Sequence, residues 1–165
     1  MAMSLHDKFV WPKPDHEADE IIFRNVRKHG CHIVGIGDGN PPFDFSIGLY
    51  LNYGHPELII FGLPSDNATS IINDVRNRAA AGEKFTDGDV SDDLLDEGFK
   101  ACFWQVPVDA YRDYLGTACW FYAPSWIAFP CLQIVWSDQN GRFPWEEECL
   151  PHVKERQPLL KKMVS

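Results

Sequence analysis

The run Glu57-Leu-Ile-Ile-Phe-Gly-Leu63 restricts the fold more than any other stretch of the chain. It is short, almost wholly apolar, and closed by Gly62 and Pro64, which is the pattern of a buried strand. The segment before it behaves differently. Between Phe43 and Tyr50 the residues alternate, with Phe43, Phe45, Ile47 and Leu49 on one face and Asp44, Ser46, Gly48 and Tyr50 on the other. That period of two predicts a strand with one core face. Asn52 to Pro56 turns the chain between the two strands. Cys31 to Ile36 is a shorter β-prone run, separated from Phe43 by the turn-rich Gly37-Asp-Gly-Asn-Pro-Pro42. Two later strands are expected, one over Phe99 to Val108 and one through Leu132, Ile134 and Trp136, which ends at the turn Ser137 to Gly141.

Three segments change to the helical period. Asp15 reads as an N-cap, and Ala18, Ile21, Ile22 and Val26 follow as an apolar stripe. Glu17, Asp19 and Glu20 precede Arg24, Arg27, Lys28 and His29, an order that suits the helix dipole, and Gly30 supplies a stop. Ser65 reads as the cap of a second helix with Ala68, Ile71, Ile72, Val75 and Ala79 inward, ended by Gly82. Asp109 opens a third helix carrying Tyr111, Tyr114, Leu115 and Ala118 on one side. The expected architecture is a single α+β domain over residues 15–150, with a mixed or mostly antiparallel sheet of about five strands and about three helices. Residues 1–14 read as an extended arm, and residues 151–165 as a loosely attached tail.

A chain of 165 residues suits one domain with a sizeable core. Its 45% hydrophobic and 24% charged residues exclude a disordered or collagen-like chain. The net charge of −9 argues against nucleic acid and anionic membranes as partners. Most of that charge is local. Glu83, Asp87, Asp89, Asp92, Asp93, Asp96 and Glu97 stand against Lys84 alone, so residues 83–97 form an acidic patch. The longest apolar run, Ala118 to Ala123, is far too short to cross a bilayer, and the N-terminus has no signal-peptide pattern. Cys31, Cys102, Cys119, Cys131 and Cys149 contain no Cys-x-x-Cys pair. Reduced thiols in a cytoplasmic protein, with no metal and no cofactor, are therefore expected.

Several constellations are chemically suggestive. Gly35-Ile-Gly-Asp-Gly39 lacks the third glycine and the following helix of a phosphate-binding loop, so it reads as a tight turn. Asp87-Gly-Asp-Val-Ser-Asp92 begins like a calcium loop, but Asp92 stands where glycine is needed and Gly98 where glutamate is needed. Ser46, His55, Glu57 and Asp44 contain the residue types of a nucleophilic relay, without the strand-turn-helix elbow that usually presents such a serine. Aromatic residues crowd positions 99–145. Tyr50, Trp136, Arg142 and Trp145 are the candidates for a stacking pocket or an interface anchor.

Three strings, Phe43-Asp-Phe-Ser-Ile-Gly-Leu49, Gly54-His-Pro-Glu-Leu-Ile-Ile-Phe-Gly-Leu63, and Leu132-Gln-Ile-Val-Trp-Ser-Asp138 through Gly141-Arg-Phe-Pro-Trp-Glu146, resemble the bacterial family known as domain of unknown function 4262. The match in order and spacing runs from about Val26 to Glu146. The family usually places an aromatic residue and threonine ahead of Ile-Gly-Leu, where this chain has Phe45 and Ser46. The resemblance implies a small bacterial protein and brings no catalytic residue or cofactor. The residues themselves rank three functions. A protein-binding inhibitor or immunity protein comes first, with Asp87, Asp89, Asp92, Asp93, Asp96 and Glu97 facing a basic partner such as a toxin. A hydrolase or transferase using Ser46, His55, Glu57 and Asp44 comes next. A flavin or nucleotide module built on the aromatic cluster is third.

Overall fold

In the computed structural model, which describes residues 4–161, the run at Glu57–Phe61 is strand β3 and is buried along its whole length. Strands β1 (His32–Ile36), β2 (Phe43–Ile47), β4 (Val90–Ser91), β5 (Ala101–Gln105) and β6 (Cys131–Trp136) complete one sheet in the order β1-β2-β3-β6-β5-β4. β3 and β6 run parallel, and every other neighbouring pair is antiparallel. The sheet is therefore mixed, in a single α+β domain. Its sixth strand, β4, is a two-residue edge pairing with Ala101 and Cys102, too short to show a period in sequence.

After Glu57, strand β3 is wholly apolar because helices cover both sheet faces. Leu58 and Ile60 pack with Ala68, Ile72 and Val75 of α4 (Ser65–Ala80). Ile59 and Phe61 pack with Phe23 and Val26 of α2 (Glu17–His29) and with Leu115, Ala118 and Phe121 around α6 (Gly116–Tyr122). The same double cover corrects the one-faced reading of β2. Asp44 and Ser46, expected on the non-core face, are buried there. Leu49 leaves the strand altogether. Gly48 adopts φ +106 and starts the short helix α3 (Leu49–Tyr53), which carries Leu49 into the cluster on the α4 side. A Cβ at Gly48 would meet Val26 at 2.9 Å, so the turn fits only glycine.

The helices keep their predicted places but differ in detail. Helix α2 begins at Glu17, and the Asp19 side chain accepts hydrogen bonds from the backbone of Asp15 and His16, so Asp15 is not the cap. Its buried stripe is Ile22, Phe23 and Val26, whereas Ile21 is 40% exposed. Ser65 is the first helical residue of α4 rather than its cap, and its hydroxyl donates to Asp44 at 2.7 Å. The third helix is broken at Leu115 into α5 (Tyr111–Tyr114) and α6. Asp109 lies in a 3-10 turn before α5, and β5 stops at Gln105, three residues earlier than the sequence pattern suggests.

Both terminal segments are part of the packing. The arm contains α1 (Leu5–Lys8), and its Phe9 and Trp11 pack against Phe121 and Phe23. At the other end α7 (Pro151–Glu155) buries Val153, and Gln157 is only 3% exposed. Gln133 Nε2 donates to Pro158 O, and its Oε1 accepts from Leu160 N. The segment after 150 is thus anchored to β6 by buried amides, not loosely attached. Residues 1–3 of the arm and 162–165 of the tail lie outside the described residues. No helix among the described residues is long and apolar enough to cross a membrane.

Candidate functional site

Glu57 opens β3 with its carboxylate fully buried. Oε1 accepts from Ser46 Oγ at 2.7 Å and from Leu49 N at 3.1 Å. Oε2 accepts from Gly48 N at 2.9 Å, from Tyr50 N at 3.2 Å, and from the Tyr122 hydroxyl. Three successive backbone N–H groups at the start of α3 therefore converge on one side chain from the neighbouring strand. Burial pushes the Glu57 carboxyl above its ordinary range, and the bonds from Tyr122, Ser46, Tyr50 and Gly48 oppose that shift. Burial and the nearby Glu57 push the Tyr122 hydroxyl well up, so it remains a donor. Ser46 Oγ also accepts from Leu58 N at 2.9 Å, which engages it on both sides.

The other two members of the proposed relay sit apart from this pair. His55 Nδ1 donates to Pro56 O at 2.8 Å, and Nε2 accepts from Phe85 N at 3.1 Å. Those two bonds fit the neutral ring, and burial holds its pKa below the ordinary histidine value. Asp44 is bonded to Ser65 and raised by burial. Ser46 and Glu57 do meet, but in an arrangement where both are consumed by structural donors and acceptors. No imidazole is bonded to Ser46, so the nucleophile-base contact that a serine relay requires is absent from this set.

The acidic segment divides into held and free groups. Asp89 accepts from Thr86 N, Asp87 accepts from Gln105 N and pairs with Lys161 at 3.0 Å, and Asp93 pairs with Arg78 at 3.0 Å. The Gln105 bond leads in lowering the Asp87 pKa, and the Ser91 hydroxyl and then Arg78 lower that of Asp93. Asp92, Asp96 and Glu97 are exposed. The calcium-like string is spent in the same way, because Asp87 and Asp89 bond to neighbouring backbone. Among the described residues no group of three His, Cys, Asp or Glu side chains is placed to hold a metal ion. The glycine string is the tight turn joining the antiparallel strands β1 and β2, closed by Gly39 N to Ile36 O.

The aromatic candidates do not converge. Tyr50 lies against Tyr122 on the α2 side of the sheet, and Trp136 belongs to the cluster on the α4 side, with Nε1 donating to Phe61 O at 2.7 Å. Trp145 stacks between Trp104 and Phe143, with ring centroids 4.3 and 4.8 Å away. Arg142 pairs with Glu146. Trp136 does line a cleft of about 540 Å³ beyond the carboxyl ends of β3 and β6. Sequence reasoning missed the rest of that cleft, because Asp66 of α4, His152 of α7 and Arg156 just after α7 line it with no shared motif. It also missed Tyr122, whose partner Glu57 is 65 positions away.

A family model described as a domain of unknown function (DUF4262) matches residues 25–150. No curated protein and no solved structure matches the chain.

Proposed function

The chain belongs to the family of domain of unknown function 4262, and we propose that it works by binding a basic protein partner, as an inhibitor or immunity protein does. The observation that carries this reading is the split within the acidic segment. Its backbone is tied by Asp87, Asp89 and Asp93, while Asp92, Asp96 and Glu97 face water. A loop already held in shape gives up little conformational freedom on binding, and unpaired carboxylates steer a basic surface toward it. The net charge of −9 disfavours nucleic acid and anionic membranes.

The five cysteines are free thiols, four of them buried, and burial raises Cys31 to about 12 and Cys102 to about 11. Unreactive buried thiols suit the cytoplasm of a bacterium, where this reading places the protein. The hydrolase or transferase reading has less support, since Ser46, His55, Glu57 and Asp44 already have internal partners.

Association with the product of the adjacent gene tests the proposal. The Asp92→Asn, Glu97→Gln double variant should slow association several-fold at low salt, with the difference vanishing at high salt. Equal on-rates at low salt, or no association with any neighbouring gene product, would end it.

A further inference from the structure

We propose that the cleft beyond β3 and β6 binds a small zwitterion with an apolar body, of the free α-amino-acid class. The location is the first argument. β3 and β6 are the parallel pair of this sheet, and ligands in open sheets gather beyond the carboxyl ends of parallel strands. The cleft opens there, between the start of α4, the 94–99 loop and α7.

One wall is built with care. Gln157 Oε1 accepts from Trp136 N at 2.9 Å, and its Nε2 donates to Trp136 O at 2.8 Å. This two-point clamp ties the chain after α7 to the last residue of β6. On the other strand, Gly62 has φ +80, and a Cβ there would lie 2.4 Å from Arg156 O. Glycine thus lets the Arg156 backbone press against the end of β3. Arg156 is held beside the ends of β3 and β6 and lines the cleft, and His152 lines it from one turn earlier in the chain.

The same cleft is also lined by carboxylates. Asp66 and Ser70 are one turn apart on α4, and Asp96 comes from the loop. None of the ion pairs among the described residues uses Arg156, Asp66 or Asp96. Leu63, Ile71, Leu94 and Trp136 add apolar surface to the same lining. A guanidinium suits a carboxylate, two carboxylates suit an ammonium, and the apolar surface suits a hydrocarbon side chain. Asp66 and Asp96 would repel the phosphates of a nucleotide, which separates this site from a nucleotide pocket.

The inference does not rest on the acidic loop's protein partner, and its variants leave Asp92 and Glu97 untouched. Calorimetric titration of the full chain with leucine and with phenylalanine is the test, with N-acetyl-leucine and leucinamide as controls. Free leucine or phenylalanine should bind saturably, and the blocked forms should bind at least about tenfold more weakly, the loss typical of one charged contact. Arg156→Gln should equalise leucine and leucinamide, and Asp66→Asn with Asp96→Asn should equalise leucine and N-acetyl-leucine. No binding at millimolar concentration would overturn the proposal. So would binding indifferent to both sets of substitutions, or tighter binding of inorganic phosphate than of either amino acid.

Discussion

Glu57 and the 83–97 segment both concentrate negative charge, and they use it in opposite ways. Glu57 lies fully buried in the core and is surrounded by donors: three backbone N–H groups, one serine and one tyrosine. The segment carries seven acids at the surface and ties down only some of them. The difference shows that a carboxylate's role follows from its unsatisfied valence more than from its residue type. Glu57 fastens β2, β3, α3 and α6 together and has no lone pair to spare. Asp92, Asp96 and Glu97 hold nothing together and remain available to water or to a partner.

The contrast breaks most sharply at Glu57 itself. Glu57→Gln aims an amide N–H₂ at groups that are themselves donors, and should cost about 3 kcal/mol or more in urea unfolding. The Asp92→Asn, Glu97→Gln pair should leave the urea midpoint where it is. If the two variants unfold alike, the distinction between a fastening and a free carboxylate is lost.

A smaller effect is expected one bond further out. Ser46→Ala removes one donor to Glu57 and the acceptor of Leu58 N, and should cost about 1–3 kcal/mol in the same assay. A cost near zero would mean that the backbone donors alone satisfy the carboxylate.

His55 sharpens the comparison through pH. Its folded pKa is depressed, so below about pH 6.5 the unfolded chain takes up a proton that the folded chain refuses. Stability from the neutral, doubly bonded ring is complete above that pH and declines as the pH falls. The raised Glu57 acts in the other direction, since above about pH 4.5 the folded state holds its proton longer than the unfolded one. A difference measurement separates the two. The stability gap between the wild type and His55→Asn should narrow as pH drops through 6.5. A gap constant from pH 8 to pH 5 would show that the ring is not held neutral.

How legible each part was in sequence follows from how local its cause was. Helix α4 and strand β3 carry their period within themselves, so Ala68, Ile72 and Val75, or Leu58 to Phe61, announce their elements directly. Strand β2 was half legible. Its alternation is real, but the burial of Asp44 and Ser46 depends on α4 lying across that face. The tail was illegible because polar Gln133 and Gln157 anchor it, and in isolation such residues read as surface. The candidate relay was legible as residue types only. Whether Ser46 met His55 or Glu57 depended on which strand turned which way.

The sequence by itself determined the fold class, the family and the acidic patch, because periodicity, string order and charge are properties of neighbouring residues. The tertiary structure alone decided that Glu57 is a fastening, that His55 is occupied, and that Arg156 and Asp66 line one cleft. Each of those depends on contacts between distant segments, and the donors and acceptors that satisfy a side chain do not exist as its neighbours until the chain has folded.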